Sequence, residues 1–364
     1  MLSEARAIFD HFQIDGDIKQ AVPFGNGHIN DTLRLINQDP GKDDYLLQKI
    51  NHHIFKQVPE LMENIQRVTE HLQQKLKTIP GCDPKREVLT LIPTKTGGIY
   101  YQDAKGDYWR VFLFIPNHRS YDIVETPEQA YEGGKTFGKF QALLADLPGG
   151  PLHETIPNFH NMVTRLETFF RTLKKDPVNR AQSVAEEIEF VEDRVKEMCL
   201  LQELREKGEL PERITHNDTK FNNVLLDEND KGLCVIDLDT VMPGLVHFDF
   251  GDAIRTSANT GAEDEADLSK VEMNITMFEA YAQGFLEQTQ SALTPKEIEL
   301  LPYSAKFMPF IMGLRFLTDY LDGDNYYKIK FPEHNLQRAR AQFKLTYSAE
   351  RQMEDMKNII FKLH

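Results

Sequence analysis

The sequence predicts an α+β fold of two lobes, a small lobe built on an antiparallel sheet and a larger lobe built of helices. Strand-type alternation and glycine-containing turns are concentrated in residues 1–115, whereas helical periodicity dominates from residue 126 onward. A chain of 364 residues also exceeds what one hydrophobic core usually spans. We therefore expect an N-terminal lobe over residues 1–115 and a C-terminal lobe over residues 116–364, with a hinge near residues 114–118.

The N-terminal lobe follows from its elements in order. Residues 1–12 have the pattern of a short amphipathic helix, and apolar residues at helical spacing predict one long helix over residues 58–76. Pro116 ends the last strand, because proline has no N–H for the strand ladder. Strand patterns occur in six segments, and these are expected to make a roughly five-stranded antiparallel sheet: residues 21–24, 32–36, 44–50, 89–92, 99–102 and 108–115.

The C-terminal lobe is predicted to be mainly helical. Thr126 and Pro127 are typical of an N-cap and a first helical position, and they begin a helix that reaches residue 147. Residues 216–239 are expected to form a loop and short strands between helices. Further helices are predicted at residues 161–173, 184–208, 268–286, 295–301, 305–321 and 335–363.

Composition excludes several classes of protein. With 42 basic and 57 acidic residues, the net charge of −15 disfavours binding to a nucleic-acid backbone. Cys82, Cys199 and Cys234 are widely separated, which predicts neither a disulfide framework nor a zinc site. No cleavable apolar leader and no run of about 18 apolar residues occurs. We expect a cytoplasmic protein that is neither exported nor membrane-spanning.

The chemistry is concentrated in residues 214–227, ITHNDTKFNNVLLD, and residues 235–239, VIDLD. Asp218 precedes Asn223 by five positions and Asp237 by nineteen, which is the spacing of a protein-kinase-like phosphoryl transferase. Phosphoryl transfer from ATP needs an oriented acceptor hydroxyl and neutralised phosphate charge. Asp218 is predicted to orient that hydroxyl, and Lys220 to neutralise charge near the transferring group.

The same stretch predicts a magnesium site. The amide oxygen of Asn223 and the carboxylate of Asp237 are hard oxygen ligands, and Mg²⁺ takes few protein ligands beside phosphates and water. Asp239 lies two positions further and is a candidate second carboxylate ligand. The alternative is a turn in which Asp and Asn side chains cap local backbone groups.

These motifs resemble the catalytic loop and metal segment of the aminoglycoside phosphotransferase and choline kinase superfamily, in which another residue replaces the protein-kinase arginine that follows histidine. Asn217 stands at that position here. Within the superfamily the chain resembles the N-acetylhexosamine 1-kinases, which phosphorylate the anomeric hydroxyl of GlcNAc or GalNAc with ATP. The matching strings are PFGNGHIN at 23–30, HNDTK at 216–220, IDLDT at 236–240, MPG at 242–244, FDFGD at 248–252, RFLTDYL at 315–321 and FPEHN at 331–335.

The resemblance implies the acceptor site. His28, Arg315 and Tyr326 become sugar contacts together with Asp218, in a small-molecule kinase that uses ATP and Mg²⁺ to make a hexosamine 1-phosphate. Each residue has a structural alternative: His28 caps its turn, Arg315 pairs with Asp319, and Tyr326 packs between the lobes. A kinase of an amino alcohol or an aminoglycoside, and a nucleotide-binding pseudokinase scaffold, are the competing functions.

Contacts with ATP are expected from the N-terminal lobe. The turn of Gly25, Asn26 and Gly27 would cover the phosphates through backbone N–H groups. The strand that follows poses a difficulty, because the family pattern puts Gln48 where a basic residue is usual. Either Lys49 serves in a shifted register, or Gln48 binds phosphate as a neutral donor.

Two further partners of ATP are predicted less narrowly. The basic residue that contacts the phosphates would pair with a carboxylate on the helix. Glu60 and Glu63 are both candidates for this carboxylate, and neither is assigned. Adenine is expected against the hinge, where Phe114, Ile115 and Asn117 offer backbone groups and Pro116 lacks a donor.

Three other motifs are interpreted as structural. The string GGKT at 133–136 lacks the first glycine and the preceding strand of a phosphate-binding loop, so it is assigned to a helix. Asp249, in a DFG triplet, comes thirty-one residues after Asp218, too late for the metal, and is expected to brace the catalytic loop by hydrogen bonding. The acidic run at 263–267 is expected to be a solvated charge run.

Overall fold

The computed structural model describes residues 2–25 and 29–364, which form two compact units. The first unit comprises residues 1–119, 146–156 and 225–242, and the second comprises residues 120–145, 157–224 and 243–364. The sequence predicted two continuous lobes, 1–115 and 116–364. The structure instead adds two later segments, 146–156 and 225–242, to the first unit, so Asp237 and Asp239 belong to the unit that contains the sheet.

The first unit is built on an antiparallel sheet, as predicted. In the described part of the chain the sheet has five strands in the order β1-β2-β3-β5-β4. The predicted strand at 89–92 is wrong, because it forms only a bridge between Leu91 and Phe112 before Pro93 interrupts the ladder. The elements are α1 (Leu2–Phe9), β1 (Ile18–Pro23), β2 (Asp31–Asn37), β3 (Tyr45–Ile50), α2 (Val58–Leu76), α3 (Pro84–Glu87), β4 (Tyr101–Gln102) and β5 (Tyr108–Leu113).

The register of the central strands separates two faces of this sheet. Leu47 on β3 lies opposite Val111 on β5, and both are fully buried in an apolar core. The next pair along the same strands is Gln48 opposite Arg110, and Thr32 on β2 lies opposite Gln48. Because side chains alternate along a strand, these polar residues form a row on the other face.

The remaining elements follow in chain order, and the predicted helical character of this part is confirmed. Two predicted helices are broken: residues 184–208 near Arg194 and Cys199, and residues 335–363 at Gln352. The elements are α4 (Pro127–Leu144), α5 (Met162–Lys175), α6 (Ala185–Glu192), α7 (Val195–Met198), α8 (Leu200–Glu206), β6 (Arg213–Thr215), β7 (Val224–Leu226), β8 (Gly232–Val235), β9 (Met242–Gly244), α9 (Val246–Ser257), α10 (Ile275–Thr289), α11 (Pro295–Glu299), α12 (Leu301–Asp322), α13 (His334–Arg351) and α14 (Met353–Leu363).

Helices α4 and α10 pack at unusually close range in the second unit. A Cβ atom added to Gly134 would lie 2.1 Å from the backbone oxygen of Tyr281, and one added to Gly284 would lie 2.1 Å from that of Tyr131. Glycine is therefore required for the contact of the two backbones. The GGKT string lies inside α4, as predicted, and its second glycine serves helix packing.

The helices of the second unit surround α12, which is buried along most of its length. It packs against α5, α9 and α13. This arrangement supports the loop that follows β6 and the helices that carry Arg165 and Arg315. Over residues 2–25 and 29–364, no helix is both long and apolar enough to cross a membrane.

Candidate active site

The loop that follows β6 is held in an unusual backbone conformation by a buried carboxylate. Asn217 has a φ of 64°, in the left-handed region that non-glycine residues rarely adopt. Asp249 on α9 accepts hydrogen bonds from the backbone N–H groups of His216, at 2.8 Å, and Asn217, at 2.7 Å. The amide of Gln141 donates to the same carboxylate. The predicted bracing role of Asp249 is confirmed.

Burial of Asp249 has an electrostatic consequence. Burial raises the pKa of this carboxyl to about 6, although His216 and the two backbone N–H groups oppose that rise. The loop is therefore held by a carboxylate, Asp249, that takes up a proton near pH 6.

The structure brings Asp218, Lys220 and Asn223 together. The ammonium of Lys220 lies 2.9 Å from Oδ1 and 3.1 Å from Oδ2 of Asp218. Burial alone would raise the pKa of Asp218, but the charge and hydrogen bond of Lys220 outweigh it and hold that pKa below its usual range. In turn, Asp218 raises the pKa of Lys220. The pair is therefore ionised, with Asp218 as a carboxylate that can accept a proton.

The side chain of Asn223 is oriented by Asp218. Its Nδ2 donates to the backbone carbonyl of Asp218 at 2.8 Å and lies 3.3 Å from Oδ2 of the same residue. This hydrogen bonding turns Oδ1 of Asn223 away from Asp218. A hard amide oxygen in this position fits a magnesium ligand.

Asp237, in the first unit, also has a rare backbone conformation. It follows β8 with a φ of 58° and a ψ of 60°, and it precedes a 3₁₀ turn at Leu238–Thr240. Left-handed non-glycine residues persist where their surroundings fix them, and they cluster at functional sites. A carboxylate is a hard oxygen donor that suits Mg²⁺, and the role of Asp237 as a metal ligand stays a prediction.

Asp239 has partners other than a metal. Its carboxylate forms a two-point ion pair with Arg110, in which Nη1 contacts Oδ1 and Nη2 lies 3.0 Å from Oδ2. Asn30 also donates to Oδ2 at 2.6 Å. Only 4% of the Asp239 side chain and 2% of the Arg110 side chain are exposed. Because both oxygens are engaged in a buried pair, the structure corrects the expectation that Asp239 is a metal ligand.

Gln48 and Lys49 have different partners on opposite faces of β3. Gln48 accepts a hydrogen bond from Nε of Arg110 at 2.9 Å and donates to Oγ1 of Thr32 at 3.0 Å. Lys49 forms an ion pair with Asp107 at 2.6 Å. The cation beside Gln48 is therefore Arg110, which the sequence analysis missed. The signal that could have found it is the antiparallel register, which pairs residue 48 with residue 110.

The predicted nucleotide contacts of the first unit are only partly within the described residues. Gly25 has a φ of 79°, as a tight turn requires, whereas Asn26, Gly27 and His28 lie outside the described residues. The ring of Phe114 contacts Phe24 edge-on, with the guanidinium of Arg34 4.0 Å from its centroid.

Two hinge carbonyls already have partners. Nδ1 of His118 lies 2.6 Å from the carbonyl oxygen of Ile115, and Arg86 donates to the carbonyl of Asn117 at 3.0 Å. Adenine binding at Phe114, Ile115 and Asn117 stays a prediction.

The second unit contains a pocket of about 190 Å³ beside α5 and α12. Two predicted acceptor residues, Arg315 and Tyr326, line it together. Tyr326 is 63% exposed, so it is not a packing residue within the second unit. The alternative that Arg315 pairs with Asp319 is also wrong, because Asp319 accepts the backbone N–H groups of Tyr326, at 2.8 Å, and Tyr327, at 2.9 Å.

A second arginine lines this pocket and was not predicted. Arg165 on α5 donates to the backbone carbonyl of Phe159 at 2.9 Å, and the guanidinium of Arg315 lies 5.1 Å from the ring centroid of Phe159. Burial, followed by the charge of Arg315, lowers the pKa of Arg165 to about 10. Among the described residues, no carboxylate lies within ion-pair distance of either guanidinium. The pocket is thus lined by two guanidiniums that have no ion-pair partner, together with the carboxylates of Asp319 and Asp322.

The pocket is joined to the loop that follows β6 through His160, the neighbour of Phe159. Nε2 of His160 lies 3.2 Å from the backbone carbonyl of Asn217. Burial, assisted by the charge of Arg315, lowers the pKa of His160 to about 3, so the ring is neutral near pH 7 and Nε2 carries its proton. The pocket and Asp218 therefore belong to one connected part of the second unit.

The acidic run at 263–267 is more than a solvated surface. Glu263 pairs with the buried guanidinium of Arg255 at 2.9 Å, and Asp264 contacts His334 at 3.0 Å and Lys330 at 3.2 Å. No residue of the run is buried, and Glu263 and Asp267 are exposed, so the expected solvated character is confirmed and the ion pairs are an addition to it.

Comparisons with known proteins identify the family and the fold. A model of the APH phosphotransferase enzyme family matches residues 20–284. An aminoglycoside phosphotransferase from Alicyclobacillus acidocaldarius superposes with a TM-score of 0.61 at 14% identity, covering 96% of each chain. A choline kinase from Cryptosporidium parvum Iowa II superposes with a TM-score of 0.57 at 13% identity, covering 93% of this chain and 91% of that one. An amicoumacin kinase in complex with AMP-PNP, Ca²⁺ and Ami superposes with a TM-score of 0.57 at 13% identity, covering 97% of this chain and 92% of that one. The predicted kinase-like fold is confirmed.

Proposed function

Because the chain belongs to the APH phosphotransferase enzyme family, we propose that it transfers the γ-phosphate of ATP to the anomeric hydroxyl of an N-acetylhexosamine, GlcNAc or GalNAc. The products are ADP and a hexosamine 1-phosphate. The observation that carries the choice of acceptor is the pair Arg165 and Arg315 in the pocket beside the catalytic loop.

The two guanidiniums favour an oxygen-rich acceptor. The sugar hydroxyls and the N-acetyl carbonyl accept hydrogen bonds, which arginine donates in a fixed planar geometry. A cationic acceptor such as choline or an aminoglycoside would be repelled by two unpaired positive charges. Tyr326 at the rim adds a ring face and a hydroxyl, both of which suit a sugar.

The carboxylate of Asp218 is the proton acceptor in this proposal. As the anomeric oxygen bonds to the γ-phosphorus, its proton passes to Asp218, and the bond from the γ-phosphorus to the bridging oxygen of ADP breaks. Lys220 keeps Asp218 ionised before the reaction and places a positive charge beside the forming bond. Orientation of the hydroxyl by Asp218 and the pocket lowers the barrier to transfer, together with neutralisation of the phosphate charge.

Oδ1 of Asn223 and the carboxylate of Asp237 are proposed to hold Mg²⁺. When bound, the ion neutralises charge on the phosphate oxygens. The amicoumacin kinase neighbour, solved with AMP-PNP and Ca²⁺, supports a nucleotide and a divalent cation in this family. Gly25, Asn26 and Gly27 are proposed to cover the phosphates, Phe114, Ile115 and Asn117 to contact adenine, and His28 to contact the sugar.

One observation favours a different acceptor. Asp322 lies at the exposed rim of the pocket, where a carboxylate could attract the ammonium group of an amino alcohol or an aminoglycoside. Such acceptors match the names of the neighbours, which include a choline kinase and an aminopropanol kinase.

ATP consumption measured in parallel with GlcNAc, GalNAc, choline, homoserine and kanamycin separates these acceptors. We expect turnover with at least one hexosamine and a phosphate on its anomeric carbon, visible in the ³¹P–¹H coupling of the product. No turnover with either hexosamine, together with turnover of choline or kanamycin, would show that the acceptor is a cationic alcohol and not a sugar.

A further inference from the structure

We propose that Arg110 is a positioning residue for magnesium–nucleotide binding, because its ion pair with Asp239 fixes the turn that presents Asp237. This inference rests on the proposed function in one respect, the assignment of Asp237 to the metal. It concerns residues of the first unit alone, where all of the contacts below are found.

The ion pair restrains the turn at two points. The planar guanidinium of Arg110 contacts both carboxylate oxygens of Asp239, which fixes the direction of the side chain as well as its distance. Asp239 lies only two residues after Asp237, inside the 3₁₀ turn. An anchored Asp239 therefore limits the backbone conformations that Asp237 can adopt.

Arg110 is itself anchored by the sheet. Its Nε donates to Gln48, and Gln48 donates to Thr32, so a row of hydrogen bonds crosses β5, β3 and β2 and ends on Asp239. Glutamine suits position 48 in this row, because it accepts from Arg110 where a lysine would add a second buried cation. The unusual Gln48 is explained by the presence of Arg110.

Oδ2 of Asp239 has a second donor besides Arg110. Asn30 donates to Oδ2 of Asp239 at 2.6 Å, and its own Oδ1 accepts the backbone N–H of Asn51 at 2.9 Å. Asp237 needs this support, because a left-handed non-glycine residue reverts to ordinary backbone conformations unless the surroundings fix it. The ion pair with Arg110 supplies the charged contact in that support, and Asn30 supplies a neutral one.

The test is the binding of ADP, measured by calorimetry with saturating Mg²⁺ and again with EDTA, in the full chain without any sugar. The ratio of the two dissociation constants isolates the contribution of the metal. In Asp239→Asn we expect that contribution to fall about 10- to 100-fold, as for other residues that orient metal ligands. Metal-free ADP binding is expected to stay unchanged, as are both values in Lys42→Met, a control that breaks the exposed pair of Lys42 and Asp15.

Two further variants separate positioning from stability. The double variant Arg110→Met with Asp239→Leu removes both charges, and such replacements often preserve stability. We expect a native circular dichroism spectrum and melting temperature, yet a magnesium contribution as low as in Asp239→Asn. Gln48→Met leaves the ion pair intact and removes only the anchor of Arg110, so we expect a smaller, several-fold loss of the magnesium contribution. This variant also provides the test if the single variants at Asp239 and Arg110 do not fold.

Two results would overturn the proposal. Recovery of the full magnesium contribution in the double variant would show that the pair only stabilises the fold. Loss of metal-free ADP binding in Arg110→Lys, which keeps the charge but not the two-point geometry, would show that Arg110 contacts the nucleotide directly. Neither readout involves the acceptor, so failure of every sugar in the substrate panel leaves this test standing.

Discussion

Asp249 and Asn217 are joined by a hydrogen bond of 2.7 Å from the backbone N–H of Asn217 to a fully buried carboxylate. The bond supports the left-handed backbone of Asn217, from which the chain continues directly to Asp218. The direction of the Asp218 side chain thus depends on a carboxylate that does not itself line the pocket of Arg165 and Arg315.

The first prediction concerns pH. The pKa of Asp249 is raised to about 6 by burial, whereas that of Asp218 is held below its usual range. As pH falls through 6, Asp249 takes up a proton and loses acceptor strength toward His216 and Asn217, while Asp218 is still ionised. We expect kcat to fall with an apparent pKa near 6, measured in a series of buffers at saturating ATP and acceptor.

Stability should not follow the same curve. A carboxyl whose folded-state pKa is raised binds its proton more readily in the folded state. Protonation of Asp249 therefore increases the free energy of unfolding as pH falls from about 6 toward the ordinary pKa of an aspartate. The melting temperature should therefore hold while kcat declines. Asp249→Asn should remove the acid limb together with most of the activity; an acid limb near pH 4 in the parent enzyme would contradict this assignment.

The second prediction concerns the arginine pair. Arg165→Met and Arg315→Met each remove a charged hydrogen-bond donor worth about 1.5–3 kcal/mol, which corresponds to a rise of roughly 10- to 100-fold in KM for the hexosamine. KM for ATP should not change. Initial-rate kinetics with each substrate varied in turn measure both values.

Lys174→Met serves as the matched control, because it removes an exposed cation from the same helix, α5. Its kinetics should equal those of the parent. If either arginine variant gains activity toward choline or kanamycin without losing activity toward hexosamines, the pair acts by repelling cations and not by binding the sugar.

The third prediction concerns the packing of α4 on α10. Gly134→Ala places a methyl group 2.1 Å from the backbone oxygen of Tyr281, so the helices must separate. Overpacking of this kind costs about 1–3 kcal/mol, and backbone contact puts this site at the upper end. Urea unfolding followed by circular dichroism measures it.

Gln283→Ala is the control for this packing prediction, since Gln283 is exposed on α10 beside Gly284. Its free energy of unfolding should stay within about 0.5 kcal/mol of the parent. An unchanged unfolding midpoint in Gly134→Ala would show that the two helices can separate without loss.

Local sequence patterns predicted what depends on neighbours in the chain. The helix at residues 58–76 has the predicted bounds, and Asp218, Lys220 and Asn223 meet because they lie within six residues of one another. The ion pair of Arg110 and Asp239 could not be predicted in this way, since 129 positions separate its members. Arg165 was missed for the same reason: only the packing of α5 against α12 brings it beside Arg315.

The fourth prediction concerns the proton acceptor. Asp218→Asn removes a carboxylate and keeps its shape, so kcat should fall about 10²- to 10⁴-fold, the usual contribution of a general base. Binding of Mg²⁺ and ADP should persist, because Asn223 can still donate to the backbone carbonyl of residue 218. Equal activity of the variant and the parent would remove Asp218 from the mechanism.

The fifth prediction separates the two roles of Lys220. In Lys220→Met, burial of Asp218 is no longer opposed by the ammonium, so the pKa of Asp218 should rise. Activity lost at acidic pH should then return as pH increases, because Asp218 must be ionised to accept the proton. A loss of kcat that is the same at every pH would instead show that Lys220 acts on the phosphoryl group itself, and the pH–rate profile of this one variant distinguishes the two.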